Sequence, residues 1–247
     1  MAAFAIIGGS GFGQVKELNI TQQKVVQTPF GEPSAPLIFG EFGGKEIIFL
    51  PRHGEGHTIP PHQINYRANI WALKDAGIEK IIGMGAVGGI RQDMAPGRVA
   101  IPHQIIDYTW GRDHTFFEQQ QGKVVHVDFT DPYCEKLRTG LIEAGQIAGV
   151  ELITDGTYGA TQGPRLETAM EINRMARDGS DLVGMTGMPE AALARELELS
   201  YASCAVVANW GAGRGDGPIA WEEIEASLDE GMNKAKQVLL VLAAKLL

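Results

Sequence analysis

Apolar residues follow two alternating rhythms along this chain. Short blocks of consecutive apolar residues, bounded by Gly, Pro, Asp or Ser, predict buried strands over residues 4–7, 36–39, 47–50, 80–84, 99–101, 152–158, 181–183 and 201–207. Between them, apolar positions three and four apart predict helices over 63–76, 133–148, 165–178, 189–196 and 221–246. In the last of these, Ile224, Leu228, Ala235, Leu239 and Leu242 recur on one face. A βα alternation with mixed strand order predicts a three-layer α/β fold, a mixed central β-sheet flanked by helices. No repeat, low-complexity stretch or linker interrupts the pattern, so a single domain over 1–247 is expected. Pro60-Pro61 and Asp216-Gly-Pro mark loop ends ahead of helices.

Composition narrows the class. The chain has 247 residues, 44% of them hydrophobic, which is ample for a core. No apolar run reaches the roughly 18 residues of a membrane helix. The first residues, MAAFAIIGGSG, carry no basic region ahead of their apolar stretch, so no signal peptide is expected. A net charge of −9 argues against a nucleic-acid surface, though not against a local anion pocket. The two cysteines, Cys134 and Cys204, read as buried thiols and suit a reducing cytoplasm. Thirty-two glycines fit many tight strand-to-loop turns where backbone approaches a ligand.

Three glycine-bearing segments follow predicted strands. Gly8-Gly-Ser-Gly-Phe-Gly can aim backbone N–H groups and the Ser10 hydroxyl at a phosphate, or be a plain tight turn. It is not a dinucleotide fingerprint, because Gln14 stands where the third glycine would fall. Pro51-Arg-His-Gly-Glu-Gly-His-Thr offers Arg52 for a bidentate grip on an anion, with His53 and His57 as donors. A solvated Arg/His turn is the plainer reading. The histidine spacing invites zinc, but Gly54 and Gly56 break a helix, Glu55 stands one place too late, and no third ligand is evident. Gly83-Met-Gly-Ala-Val-Gly-Gly-Ile again suits an anion or a flat ring at a strand end. Together the three favour a phosphate site. Further along, Glu167 lies in Gln162-Gly-Pro-Arg-Leu-Glu-Thr before a helix, where a first-turn acid is also ordinary. Met185, Thr186 and Asn209 likewise admit roles as core filler, turn and strand cap.

Taken in order, GGSGF at 8–12, RHG at 52–54, PPHQINYRANIWALK at 60–74, GAVGGI at 85–90, TQGPRLET at 161–168 and GMTGMPEAALA at 184–194 resemble the trimeric purine nucleoside phosphorylase and methylthioadenosine phosphorylase family. The resemblance covers nearly the whole chain. It implies the nucleoside phosphorylase fold, a homotrimer, and reversible phosphorolysis of a purine nucleoside to free base and sugar 1-phosphate. It implies no metal or organic cofactor, inorganic phosphate being a co-substrate. By position it assigns Ser10, Arg52, His53, the Ala86 N–H and Thr186 to phosphate, with His57 near phosphate and sugar. Met185 would pack on the ribose, Glu167 would face the base, Leu166 would contact the substrate, and His126 would reach a neighbouring subunit's site.

The same resemblance separates substrates. Adenine-specific members carry Asp at the place of Asn209 and a second Asp two residues on, where this chain has Gly211. Enzymes for 6-oxopurines have Asn there and Glu at the place of Glu167. An Asn amide can donate to nitrogen-7, and a glutamate can accept the nitrogen-1 hydrogen that hypoxanthine carries and adenine lacks. Enzymes for ordinary inosine and guanosine supply a His to the 5′-hydroxyl from the C-terminal helix. Here that region reads Ile219-Ala-Trp-Glu-Glu-Ile, with Trp221 and Ile224 as apolar candidates for a methylthio group. The expected substrate is S-methyl-5′-thioinosine. Gly85 stands where methylthioadenosine enzymes have a phosphate-touching Thr, and Trp210 and the loop 211–217 differ from both subfamilies. The rivals are an inosine/guanosine phosphorylase, a methylthioadenosine phosphorylase, a nucleoside hydrolase using water, and an anion-binding module without turnover.

Overall fold

The computed structural model describes residues 2–9, 17–118, 124–217 and 221–246. Among the described residues, eleven strands join one sheet: β1 (Ala5–Gly8), β2 (Asn19–Lys24), β3 (Leu37–Phe42), β4 (Lys45–Pro51), β5 (Lys80–Gly89), β6 (Val99–Ala100), β7 (Gln104–Asp107), β8 (Leu152–Ile153), β9 (Thr157–Ala160), β10 (Leu182–Gly184) and β11 (Ser200–Trp210). Their order is β2-β3-β4-β1-β5-β10-β9-β7, and β5 also pairs β11, which continues through β6 to β8. Parallel pairs such as β4-β1-β5 and β5-β11 coexist with antiparallel ones such as β2-β3-β4 and β5-β10. The sheet is mixed, as expected.

The α-helices that cover it among the described residues are α1 (Tyr66–Asp75), α2 (Glu135–Ala148), α3 (Ala169–Asp178), α4 (Gly187–Glu196) and α5 (Trp221–Val241). Strand alternation decides which helix meets which face. Ala5 and Ile7 of β1 pack with Ile70 and Leu73 of α1 and with Ala191 and Leu193 of α4. Phe4 and Ile6 pack on the opposite side with Leu137 and Leu141 of α2 and with Val238 and Leu239 of α5. Each such fully buried Ile, Leu or Phe is worth about 1.5–3 kcal/mol relative to exposure. This gives the predicted three layers. Among the described residues, no helix is long and apolar enough to cross a membrane.

Three expectations are corrected. The glycines of 83–89 do not follow a strand; they lie within β5, which runs to Gly89 because β11 and β10 hold it on both sides. The block 152–158 is two strands, β8 and β9, not one. The edge strand β2 and the strand β7 were not foreseen. Every residue of β2, NITQQK, is exposed, so it carries no apolar signal.

Candidate active site

Parallel β4, β1 and β5 bring Arg52, Gly9 and Gly85 to one end of the sheet, and β11 brings Asn209 beside them. In such sheets ligands bind outside the carboxyl ends of strands. A cavity of about 550 Å³ opens there, lined by Arg52, His53, His57, Ala86, Leu166, Glu167, Met185, Thr186, Asn209 and Trp221. Ten of the predicted site residues therefore converge from sequence separations of up to 169 positions (Arg52 to Trp221). Ser10 lies outside the described residues. His126 does not line this cavity; it stands on an exposed segment beside Val124, Val125 and Val127, which are 81%, 42% and 38% exposed.

The bidentate grip expected of Arg52 is not available to an anion. Its Nε donates to Glu190 Oε2 at 2.7 Å and its Nη2 to Glu190 Oε1 at 2.6 Å. Nη1 donates to the Met84 carbonyl at 2.7 Å. Both side chains are buried, at 2% and 0% exposure. Burial opposes the guanidinium charge, but the Glu190 carboxylate outweighs that and holds the Arg52 pKa above its ordinary value. Tyr201 completes the pair, donating to Glu190 Oε1 at 2.7 Å. The Tyr201 hydroxyl fits only because Gly83 has no Cβ, which would overlap it. What Arg52 can still offer the cavity is the second N–H of Nη1, which lies close under Gly9.

His53 is also more constrained than its sequence suggests. Its Nδ1 lies 2.9 Å from the Ile59 carbonyl, an acceptor only, so Nδ1 carries the proton. Burial, and then the Arg52 charge, push its pKa down to about 4. At neutral pH the ring is uncharged and its Nε2 accepts rather than donates. His57 stacks on it at a centroid distance of 4.2 Å, with φ 58° directly after Gly56, and burial lowers its pKa too.

The base end holds the two groups foreseen. Asn209 follows a bulge in β11, and its Nδ2 donates to the Trp210 carbonyl at 2.7 Å, leaving its second N–H and its oxygen. Glu167 accepts from Thr161 Oγ1 at 2.7 Å through Oε1, leaving Oε2. Met185 reaches the cavity over Gly163, where a Cβ would meet its sulfur at 2.5 Å. Gly85 lies opposite Thr186, whose Oγ1 would be 3.8 Å from a Cβ built there. The other wall is apolar, with Ile59, Pro60, Pro61, Ile224 and Leu228, but Glu225 joins it. Trp221 is 68% exposed, at the rim.

Sequence reasoning missed Glu190, Tyr201, Thr161 and Glu225. Glu190 had a signal: it is the one acid in an otherwise apolar run, GMPEAALA, and a buried acid needs a cation. Glu225 has the bland profile of a helix-surface acid, and only the packing of α5 over the cavity distinguishes it.

Relatives align along nearly the whole chain. A probable S-methyl-5′-thioinosine phosphorylase from Pseudomonas syringae pv. tomato is 52% identical over 97% of this chain and 97% of its own. A probable 6-oxopurine nucleoside phosphorylase from Dictyoglomus turgidum is 44% identical over 98% of this chain and 91% of its own. The structure of methylthioadenosine phosphorylase from Schistosoma mansoni in complex with adenine superposes with a TM-score of 0.94 at 33% identity, covering 99% of this chain and 91% of that one. The fold is therefore the nucleoside phosphorylase fold. The Phosphorylase superfamily model matches residues 3–244, and the chain belongs to that family.

Proposed function

We propose that this protein is a pentosyltransferase that cleaves S-methyl-5′-thioinosine with phosphate, giving hypoxanthine and 5-methylthioribose 1-phosphate in purine and methylthio salvage. One observation carries the choice of base: Asn209 and Glu167 line one cavity, and position 211, where a second carboxylate would favour adenine, is Gly. The Asn209 amide keeps a donor for nitrogen-7, and the free Glu167 oxygen accepts the nitrogen-1 hydrogen. A buried mismatch at either edge is costly, which makes such a pair selective.

In this reading the glycosidic bond breaks ahead of attack. The sugar becomes an oxocarbenium-like cation, stabilised by the phosphate dianion below it. Arg52 Nη1, the Ala86 N–H, Thr186 and Ser10 hold that phosphate, with His53 accepting from its protonated oxygen. His57 sits toward phosphate and sugar, Met185 packs on the ribose, and Leu166 borders the base. The Asn209 donation strengthens as negative charge develops on the leaving purine, so it lowers the barrier rather than merely binding substrate. No metal or organic cofactor enters the reaction. The protein acts as a homotrimer, with His126 reaching a neighbouring site; the exposed valines around it suit burial against another subunit. We assign it to the cytoplasm, in keeping with two unpaired cysteines.

The apolar wall of Ile59, Pro60, Pro61, Ile224 and Leu228 supports a methylthio group at the 5′ end. Glu225 favours a second reading, inosine or guanosine phosphorolysis, because a carboxylate can accept from a 5′-hydroxyl. Base release from methylthioinosine, methylthioadenosine and inosine, each with and without phosphate, tests both. Phosphate-dependent cleavage chiefly of methylthioinosine is expected. Preference for methylthioadenosine would overturn the base assignment, and preference for inosine only the sugar assignment.

A further inference from the structure

Arg112 lines no part of the cavity, yet it touches both loops that build it. The guanidinium is buried, at 7% exposure. On one side Nε donates to Gln162 Oε1 at 3.1 Å, and Nη2 donates to the carbonyls of Thr161 at 3.2 Å and Gln162 at 2.8 Å. On the other, Nη1 donates to the carbonyls of Met185 at 2.9 Å and Met188 at 2.6 Å, and to the Tyr66 hydroxyl at 3.2 Å. The two segments leave neighbouring parallel strands, β9 and β10. The first carries Glu167, itself tied to Thr161. The second carries Met185 and Thr186. Arg112 is held from behind as well: Arg67 bonds to Asp113, to Glu118 at 3.0 Å and to the Thr115 carbonyl at 3.4 Å, and the Phe116 N–H donates to Glu196 at 2.8 Å.

We propose that Arg112 is a positioning residue that sets the base-reading loop and the sugar-facing loop in register with each other, so that one rigid guanidinium fixes the distance between the purine and ribose subsites. All six acceptors are neutral oxygens, and a planar fork with five N–H donors reaches both loops at once. Lysine, with three donors on one atom, cannot span them in the same way. Small misplacements of substrate-positioning groups are costly, so the effect should fall on nucleoside use. Of the phosphate ligands, Arg52 and Ala86 sit on β4, β5 and their ends, while Thr186 shares the loop that Arg112 bonds at Met185 and Met188.

This inference rests on the proposed phosphorolysis for its kinetic readout, so a second readout stands without it. In Arg112→Gln, the nucleoside KM should rise at least about tenfold, with a clearly smaller rise in the phosphate KM because only Thr186 among the phosphate ligands lies on a held loop. Arg112→Lys, which keeps the charge and some donors, should recover part of the loss and serves if the Gln variant folds poorly. Equal losses toward both substrates, or a fall in kcat with both KM values unchanged, would overturn the positioning role. Separately, amide hydrogen exchange of the unliganded protein should show 161–168 and 184–188 losing protection together in either variant while β5 and β11 keep theirs. Unchanged protection, or loss in only one loop, would overturn the clip whatever the substrate proves to be. Wild-type protein without phosphorolysis but with coupled loops would instead sink the functional reading alone.

Discussion

Glu190 receives both ends of the Arg52 fork, at 2.7 and 2.6 Å, inside a core that water does not reach. The arginine that the strand-end motif offers as an anion clamp is thus chiefly an anchor. It joins the end of β4 to α4, and presents to the cavity a single N–H under Gly9. The phosphate subsite then depends on backbone N–H groups, hydroxyls and one guanidinium edge rather than on net positive charge.

Replacing Glu190 with Gln should leave an uncompensated buried charge on Arg52. Breaking a buried pair by removing one partner is expected to cost about 3 kcal/mol or more. Urea denaturation of Glu190→Gln measures it; a loss under about 1 kcal/mol would show that the pair is not an anchor. The phosphate KM should also rise more than the nucleoside KM, since the freed fork moves away from the Met84 carbonyl.

Asn209→Asp should move base selectivity toward adenine. A protonated Asp can donate to nitrogen-7, while an ionised one can accept from a 6-amino group but repels a 6-oxo group. The ratio of kcat/KM for methylthioadenosine over methylthioinosine is expected to rise by about a hundredfold. An unchanged ratio, measured by base release, would remove Asn209 from base recognition.

Gly85→Thr should improve phosphate use. Gly85 has no positive φ, and a Cβ there meets only Thr186 Oγ1, at an ordinary 3.8 Å. The added hydroxyl can join Thr186 in facing the anion. One net hydrogen bond predicts a phosphate KM about threefold to tenfold lower. A higher KM would mean that the space is needed by the substrate itself.

Acid should destabilise the protein through His53. Its pKa is about 4 in the folded state, against an ordinary 6.5. Between those values the unfolded chain binds the extra proton, so stability is fully present above pH 6.5 and falls as pH drops toward 4. Urea midpoints at about pH 7.5 and about pH 5 should differ more for wild type than for His53→Gln. Equal differences would show that His53 is not the linked group.

Much of this architecture was legible in residue order. The alternation of Phe4 and Ile6 with Ala5 and Ile7 is visible in the string, and it is what sends α2 and α5 to one face and α1 and α4 to the other. Helix α3 begins where Thr168 and Glu171 form a reciprocal cap, only four residues after the predicted start. Strand β2 was illegible for the opposite reason. As an exposed edge it buries nothing, and its pairing with β3 is backbone hydrogen bonding that any side chain permits.

The site divides in the same way. Which side chains could meet a phosphate, a sugar and a 6-oxopurine was set by motifs at strand ends, because function there depends on residue type at a local turn. What each can still offer a ligand was decided by tertiary contacts. Arg52 spends its fork on Glu190, 138 positions away; His53 commits its proton to Ile59; and Arg112 joins loops from two strands. A sequence lists donors and acceptors, but only packing decides which are already taken, since most buried polar groups find their partners in whatever the fold brings beside them.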